Sequence, residues 1–201
     1  MLAVGLAEEE RLVAIMDIGT NTELILGNKH RILAASCPAG PAFEGGAIAC
    51  GMPGLDGAVE DVRVDEAGEF TLGVIGGGAP EGLCGSGLVD LMSELLRTGR
   101  MNDMGRFEDG VSRFTLDEAH DVFFLESDVN ELAQAKGANA AGVRVLAESY
   151  GVPLQRIERL YLAGGFARHI DVDAARRIGL VPDLPAERVV KVGNAALLGA
   201  S

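Results

Sequence analysis

A compact group of polar residues interrupts an apolar stretch near the start of the chain, in AIMDIGTNTELILGN. The group lies between two apolar segments and comprises Asp17, Gly19, Thr20, Asn21 and Thr22. A carboxylate at the end of a buried strand is suited to hold a hydrated Mg²⁺ ion or to orient a water molecule, while the following amides and hydroxyls are suited to bind phosphate oxygens. Gly19 would allow a close approach to the backbone. The alternative is an Asx-type turn that satisfies only its own backbone.

A second candidate site lies in LAGGFARH, residues 162–169. An apolar segment ends at Gly164 and Gly165 and leads into a helical segment that begins near Phe166. A strand that ends in glycines before a helix is a common place for a nucleotide base and ribose to contact backbone. A tight strand-to-helix turn without a ligand is the alternative.

Two further features have the composition of a ligand site. In EGLCGSGLVDL, Gly85, Ser86 and Gly87 precede a helical pattern, so their amides and the helix dipole are suited to bind an anion. A nucleophilic Ser86 is disfavoured, because the segment does not match GxSxG and no histidine follows in a motif typical of a base. Glu44 lies in the apolar glycine loop PAFEGG, where a carboxylate is costly unless it is paired or faces a ligand.

The elements that would position these residues follow from the hydrophobic pattern. Three short apolar segments predict an antiparallel meander, with GNKH as the turn between the second and third. Alternating helices and strands then predict parallel pairing through helical crossovers. We expect strands at 11–17, 22–27, 31–36, 59–65, 69–75, in RFTL and VFFLES, in IERLYLAGG and at 188–192, and helices at 43–50, 88–97, 127–150 (capped by Ser127 or Asp128), 173–178 and from Asn194. This order is typical of a ribonuclease-H-like lobe, a mixed five-stranded sheet flanked by helices.

Composition limits the functional class. The chain has 201 residues, of which 48% are hydrophobic, so it can bury a substantial core. Its net charge of −13 argues against electrostatic binding to nucleic acid or to a bare anionic membrane. No apolar run approaches the roughly 20 residues of a membrane span, and MLAVGLAEEERL lacks the basic region of a signal peptide. We therefore expect a cytoplasmic protein without nucleic-acid or membrane partners.

The cysteines do not indicate a metal or disulfide site. Cys37, Cys50 and Cys84 are far apart and form no CxxC pair, so we expect reduced, buried thiols. An iron–sulfur cluster normally takes four thiolates, and the chain has three.

Six motifs, taken in order, give the sequence a closer resemblance. From about residue 11 to 200 the chain resembles the C-terminal domain of the reductive activators of corrinoid proteins, within the actin, sugar kinase and heat-shock ATPase (ASKHA) superfamily. The motifs are DIGTNTELILGN, CPAGPAFEGG, GLCGSGLVDL, ELAQAKGA, YLAGGFA and VGNAALLGA. The resemblance implies the actin-like ATPase fold.

The resemblance also implies a function. Such activators use ATP to help move an electron from a two-iron two-sulfur cluster onto the cobalt of an inactivated corrinoid, restoring the Co(I) state that a methyltransferase needs. Asp17 and residues 19–22 would form a phosphate loop with Mg²⁺, and Gly164, Gly165 and Phe166 the adenosine turn. Glu44, Gly85 and Ser86 are further candidates for nucleotide binding. A corrinoid protein or corrinoid methyltransferase would be the partner.

The chain departs from the family pattern in what it lacks. Family members carry an N-terminal ferredoxin-like domain with the cluster cysteines and a first nucleotide-binding lobe, and these residues contain neither. We therefore expect residues 1–201 to form a single lobe, as the C-terminal part of a longer protein or completed by a partner or a homodimer. The isolated chain is expected to be inactive in electron transfer.

Two other functions remain open on the sequence. A non-catalytic interaction module of the same fold would bind a corrinoid protein or a partner subunit without nucleotide. A small-molecule kinase is less favoured, because sugar kinases of this superfamily usually place the catalytic carboxylate in the first lobe.

Overall fold

The computed structural model describes residues 1–200, except for the side chains of Asp109 and of residues 196–198. Within that part of the chain the strands and helices follow in this order: β1 Val13–Asp17, β2 Thr22–Asn28, β3 Arg31–Cys37, β4 Ala58–Val64, β5 Phe70–Val74, β6 Gly82–Leu83, α1 Gly85–Arg97, β7 Arg113–Asp117, β8 Val122–Leu125, α2 Glu126–Tyr150, β9 Arg159–Ala163, α3 Val172–Arg177, β10 Val189–Gly193 and α4 Ala195–Ala200. They divide into two compact units, Met1–Gly40 with Lys136–Ser201, and Pro41–Ala135.

The first unit is built on a five-stranded sheet in the order β10–β9–β1–β2–β3. β1 is antiparallel to β2, and β2 is antiparallel to β3, which is the predicted meander. β9 is parallel to both β1 and β10. This is the mixed sheet of a ribonuclease-H-like lobe, and the carboxyl ends of β1, β9 and β10 lie at one edge of it.

Burial explains why these segments form this sheet. The first four residues of β1 are all buried, because the strand lies at the centre of the sheet and is covered on both faces. In β2, Thr22, Leu24 and Leu26 are buried while Glu23 is exposed, which is the period of two expected of a strand that has one covered face. α2 lies against that covered face, since a Cβ at Gly142 would lie 2.1 Å from Cys37 Sγ and 2.7 Å from Leu24 Cδ1.

The second unit contains a three-stranded sheet in the order β5–β4–β6 and the hairpin β7–β8. Four phenylalanine rings connect the two sheets, with centroids 5.4 Å apart for Phe70 and Phe114, 6.0 Å for Phe107 and Phe114, and 6.2 Å for Phe107 and Phe124. These tilted rings are arranged as aromatic pairs prefer. Phe107 and Phe124 are buried, while Phe70 and Phe114 are half-buried and extend the ring cluster between β5 and β7.

Helix α1 packs against β4, and two of its carboxylates bond that strand. Val62 N donates to Asp90 Oδ2 over 3.4 Å, and Val64 N donates to Glu94 Oε2 over 3.0 Å. Both carboxylates are buried, and these bonds to backbone amides help to stabilise them there. Acidic side chains on α1 thus accept hydrogen bonds from backbone amides in the half of β4 that does not pair with the short β6.

The predicted elements are largely confirmed, with two corrections. A helix at 43–50 is wrong: only a 3₁₀ turn forms, Ala42–Glu44, because φ is +84° at Gly45 and +63° at Ala47. α2 begins at Glu126 and not at a cap formed by Ser127 or Asp128. Instead Asp128 Oδ2 accepts a bond from the Leu125 amide (3.0 Å), as the third residue of a capping box does.

Among residues 1–200 no helix combines the length and the apolar character that crossing a bilayer requires.

Candidate functional site

The turn between β1 and β2 lies at the edge of the sheet where the parallel strands end. Ile18 N donates to Ala163 O over 3.1 Å, which joins the start of this turn to the end of β9. Thr20 O accepts a bond from Gly40 N over 2.8 Å, so the tip of the turn is held as well. Thr20 and Asn21 are exposed to solvent. The turn is therefore an ordered, accessible loop with its backbone fixed at both ends.

Gly164 packs directly against this loop. Its φ is +98°, in the region that side-chain-bearing residues avoid, and a Cβ there would lie 2.7 Å from Ile18 O and 2.9 Å from Asp17 Oδ1. Gly164 N donates to Gly193 O over 2.9 Å. The ends of β1, β9 and β10 are thus tied together, and only glycine allows this approach.

The next residue, Gly165, has a different environment. Its φ of −63° is helical, and a Cβ there would have no heavy atom within 4 Å. It precedes a 3₁₀ turn, Phe166–Arg168, in which Phe166 is half-buried. Open space beside an exposed glycine and a half-buried ring is suitable for a planar ligand group.

Two carboxylates at this edge, Asp17 and Glu23, lie opposite each other on β1 and β2. Burial raises the pKa of Asp17, and the charge of Glu23 raises it further. The same two causes raise the pKa of the neighbouring Cys37 thiol. A negative charge that burial and a like-charged neighbour both disfavour would be stabilised by a cation or by a proton.

A cation at this edge would have few protein ligands. No group of three or more His, Cys, Asp or Glu side chains that could hold a metal ion occurs among the described residues. Mg²⁺ commonly binds proteins through one or two carboxylates, water and substrate phosphates. The donor set around Asp17 therefore fits a hydrated Mg²⁺ that arrives with a phosphate ligand, and does not form a complete metal site.

Thr22 was expected to contribute its hydroxyl to the phosphate loop, and the structure places it differently. Its side chain is fully buried, and Oγ1 is inaccessible to solvent. The hydroxyl thus faces the interior under the loop, while Thr20 and Asn21 are the polar side chains on its exposed side.

The remaining candidates belong to the second unit. Glu44 is exposed at the end of its 3₁₀ turn, so the burial cost that singled it out does not apply. Gly85 and Ser86 begin α1 and are buried, and Ser86 Oγ lies 3.4 Å from Cys84 Sγ. This burial argues against an accessible nucleophile or anion site at Ser86 in this unit.

Sequence reasoning gave no role to two residues with unusual environments in the first unit. Glu23 received no role from the sequence, although the strand register makes it the cross-strand neighbour of Asp17. Asn139 is fully buried in α2, and neither of its side-chain polar atoms has a partner among the described residues. The helical spacing of Leu132, Ala135, Asn139, Val143 and Leu146 could have identified it as a polar residue on the buried face.

Comparison with known proteins identifies relatives across nearly the whole chain. Residues 11–201 match the family model described as the C-terminal domain of RACo, the ASKHA domain. The corrinoid activation enzyme RamQ of Eubacterium limosum is 35% identical over 221 residues, which cover 98% of this chain and 37% of that protein. The [Co(II) methylated amine-specific corrinoid protein] reductase of Methanosarcina barkeri is 27% identical over 204 residues, covering 91% and 37%.

A solved structure agrees with these relatives. The reductive activator for corrinoid, iron–sulfur protein superposes with a TM-score of 0.89 at 38% identity, covering 98% of this chain and 34% of that one. This chain spans 37% of the length of the two curated relatives. The family match from residue 11 onward, the identity to RamQ and the shared fold lead to one conclusion. The chain belongs to the family of C-terminal ASKHA domains of RACo-type proteins.

Proposed function

We propose that residues 1–201 act as one nucleotide-binding lobe of an ATP-dependent reductive activator of corrinoid proteins. The observation that carries the proposal is the packing of Gly164 against Asp17 and Ile18, which joins the two segments expected to bind phosphate and adenosine. The names of the relatives, which concern corrinoid activation and reduction, support the same assignment.

Within this proposal the exposed loop and the glycine turn have separate tasks. The amides of residues 19–21, with the side chains of Thr20 and Asn21, bind phosphate oxygens. Gly165 and Phe166 accommodate the adenosine, because the space beside Gly165 is open. Asp17 would hold a hydrated Mg²⁺ ion, which would supply positive charge to neutralise phosphate when it is bound. Glu44, Gly85 and Ser86 are not assigned a contact, given their exposure or burial within the second unit.

Coupling ATP to electron transfer requires two states of the complex between activator and corrinoid protein. In the proposed reaction Co(II) of the corrinoid is reduced to Co(I) by one electron, which a two-iron two-sulfur cluster held outside these residues would supply. That step is uphill, so ATP binding or hydrolysis must change the affinity or geometry of activator and corrinoid protein. The lobe contributes by binding ATP and its products with different affinity in the two states. A corrinoid protein, or a methyltransferase that carries one, is the proposed partner, and a second copy of the chain is another means of completing the cleft.

Replacing Asp17 with asparagine tests the proposed role of the carboxylate. We expect Asp17→Asn to raise the melting temperature at pH 7, because the charged form is the one that burial and Glu23 disfavour. The folded pKa lies above the ordinary value of 3.8, so ionised Asp17 lowers stability above the folded pKa, and this penalty disappears as the pH falls towards 3.8. The difference between variant and wild type should therefore vanish in acid.

The same variant should lose nucleotide. Isothermal titration calorimetry with MgATP, with a first nucleotide-binding lobe supplied in trans, should give an affinity at least about tenfold weaker than wild type. Asn21→Ala is a matched control for a side chain on the exposed loop, with an expected smaller loss. Absence of saturable MgATP binding to the wild type would refute the proposal. Capture of a corrinoid protein that is insensitive to nucleotide would then favour an interaction module.

A further inference from the structure

Three polar atoms of two residues, one on β2 and one on α2, are buried without a hydrogen-bond partner among the described residues. Thr22 Oγ1 and the Oδ1 and Nδ2 atoms of Asn139 are inaccessible to solvent and make no hydrogen bond to any described residue. Both residues are fully buried. Buried polar groups in folded proteins are nearly always hydrogen-bonded to protein or to ordered water. These three atoms therefore require an explanation.

Strand register and helix packing place the two side chains at the same level. Gly142 of α2 contacts Leu24 on β2 and Cys37 on β3, and Cys37 is the cross-strand partner of Thr22. Thr22 precedes Leu24 by two residues on the same face of β2. Asn139 precedes Gly142 by one helical turn, about 5 Å along the axis.

The direction of α2 supports this placement. Val143 and Leu146, further along the helix, border the same small apolar cavity as Leu24 and Leu26, further along β2. Helix and strand therefore advance together, and moving back one step on each reaches Asn139 and Thr22. By this geometry, Asn139 and Thr22 belong to the facing surfaces of α2 and β2, at the end of the apolar layer nearest to the loop.

We propose that one internal water molecule bridges the Thr22 hydroxyl to the Asn139 carboxamide, and that Asn139 is thereby a positioning residue for the nucleotide loop. Buried water typically makes about three hydrogen bonds to otherwise unsatisfied polar groups. The carboxamide offers a donor and an acceptor, and the hydroxyl serves as either. Neither residue carries a charge, so the chemistry selects a neutral bridging molecule.

The bridge connects the loop to a fixed element. Thr22 is the first residue of β2 and directly follows the loop. α2 is also held by Lys136, which lies one turn before Asn139 and whose Nζ donates to Ile178 O over 2.7 Å. A link from α2 to Thr22 thus restrains the residue at which the loop rejoins the sheet. The bridge itself does not depend on the proposed function, but its effect on nucleotide does.

A double-mutant cycle on the unfolding of the full chain tests the bridge. Thr22→Val and Asn139→Leu each leave the other side chain unsatisfied, whereas the double variant removes all three polar atoms. We expect the double variant's unfolding constant to be about tenfold lower than the two single effects predict together. Additive effects would overturn the bridge. As a control, Leu146 lies about 10 Å further along α2 than Asn139, so the effects of Thr22→Val and Leu146→Ala on the free energy of unfolding should be additive.

Nucleotide affinity separates positioning from stability. MgATP affinity should fall in Thr22→Val and in the double variant, recover in Thr22→Ser, and remain near wild type in Leu146→Ala although that variant is destabilised. Unchanged affinity in the double variant would overturn the positioning role. If the wild type binds no MgATP, the proposed function fails, while the unfolding cycle still decides whether the bridge exists.

Discussion

Gly164→Ala should abolish MgATP binding and lower the free energy of unfolding by about 2–5 kcal/mol. Two costs add at this position. Alanine disfavours a φ of +98°, and its Cβ would lie 2.7 Å from Ile18 O and 2.9 Å from Asp17 Oδ1. Backbone and carboxylate must move apart to relieve the contact, which separates the loop from the turn after β9. Denaturant unfolding and calorimetry with MgATP measure the two effects.

The adjacent glycine provides a matched control. Gly165→Ala introduces the same methyl group one residue later, at a φ of −63° and with no heavy atom within 4 Å. Its stability should equal or slightly exceed that of the wild type, since alanine restricts the unfolded chain more than glycine does. A weaker affinity for MgATP in this stable variant would indicate that ligand occupies the open space. Equal stability of Gly164→Ala and Gly165→Ala would contradict the packing described at Gly164.

The sequence was sufficient to predict the main strands of the first unit. The meander over β1–β3 follows from short apolar segments with a clear turn, and the strand that ends at Gly164 follows from its apolar run. These signals are local, so they can be recognised without tertiary information. What a single sequence cannot provide is the pairing of Asp17 with Ala163, which are far apart along the chain and adjacent in the sheet.

The site residues illustrate the same limit. Gly164 and Gly165 cannot be distinguished in the sequence, yet of the two only Gly164 packs against backbone from another segment. Thr20 and Thr22 both carry hydroxyls in one loop motif, yet Thr20 is exposed to solvent and Thr22 is buried. The sequence also could not predict that Glu44 is exposed and Ser86 is buried, because burial depends on which residues the fold packs against each of them. Residue type suggests which side chains could bind a ligand, and tertiary packing determines which of them are accessible to one.

The burial of Ser86 has an identifiable cause one residue later, at Gly87. A Cβ at this position would lie 2.1 Å from Val59 O and 2.9 Å from Val59 C on β4. Without a side chain, α1 approaches β4 closely enough for Cys84 N to donate to Val59 O over 3.1 Å. Gly87 of CGSGL thus serves helix–sheet packing in the second unit, whatever else this segment contributes.

Gly87→Ala is accordingly expected to lower the free energy of unfolding by at least about 3 kcal/mol, or roughly 6–12 °C in melting temperature. The methyl group would displace α1 from β4 and loosen the buried residues Leu88, Leu91 and Leu95. Gly137→Ala, in an exposed position of α2 where a Cβ meets nothing within 4 Å, is the control, and it should gain about 0.5–1 kcal/mol from helix propensity. Thermal unfolding of both variants decides the matter. A Gly87→Ala protein as stable as Gly137→Ala would mean that α1 does not need this close approach, and that the buried position of Ser86 has another origin.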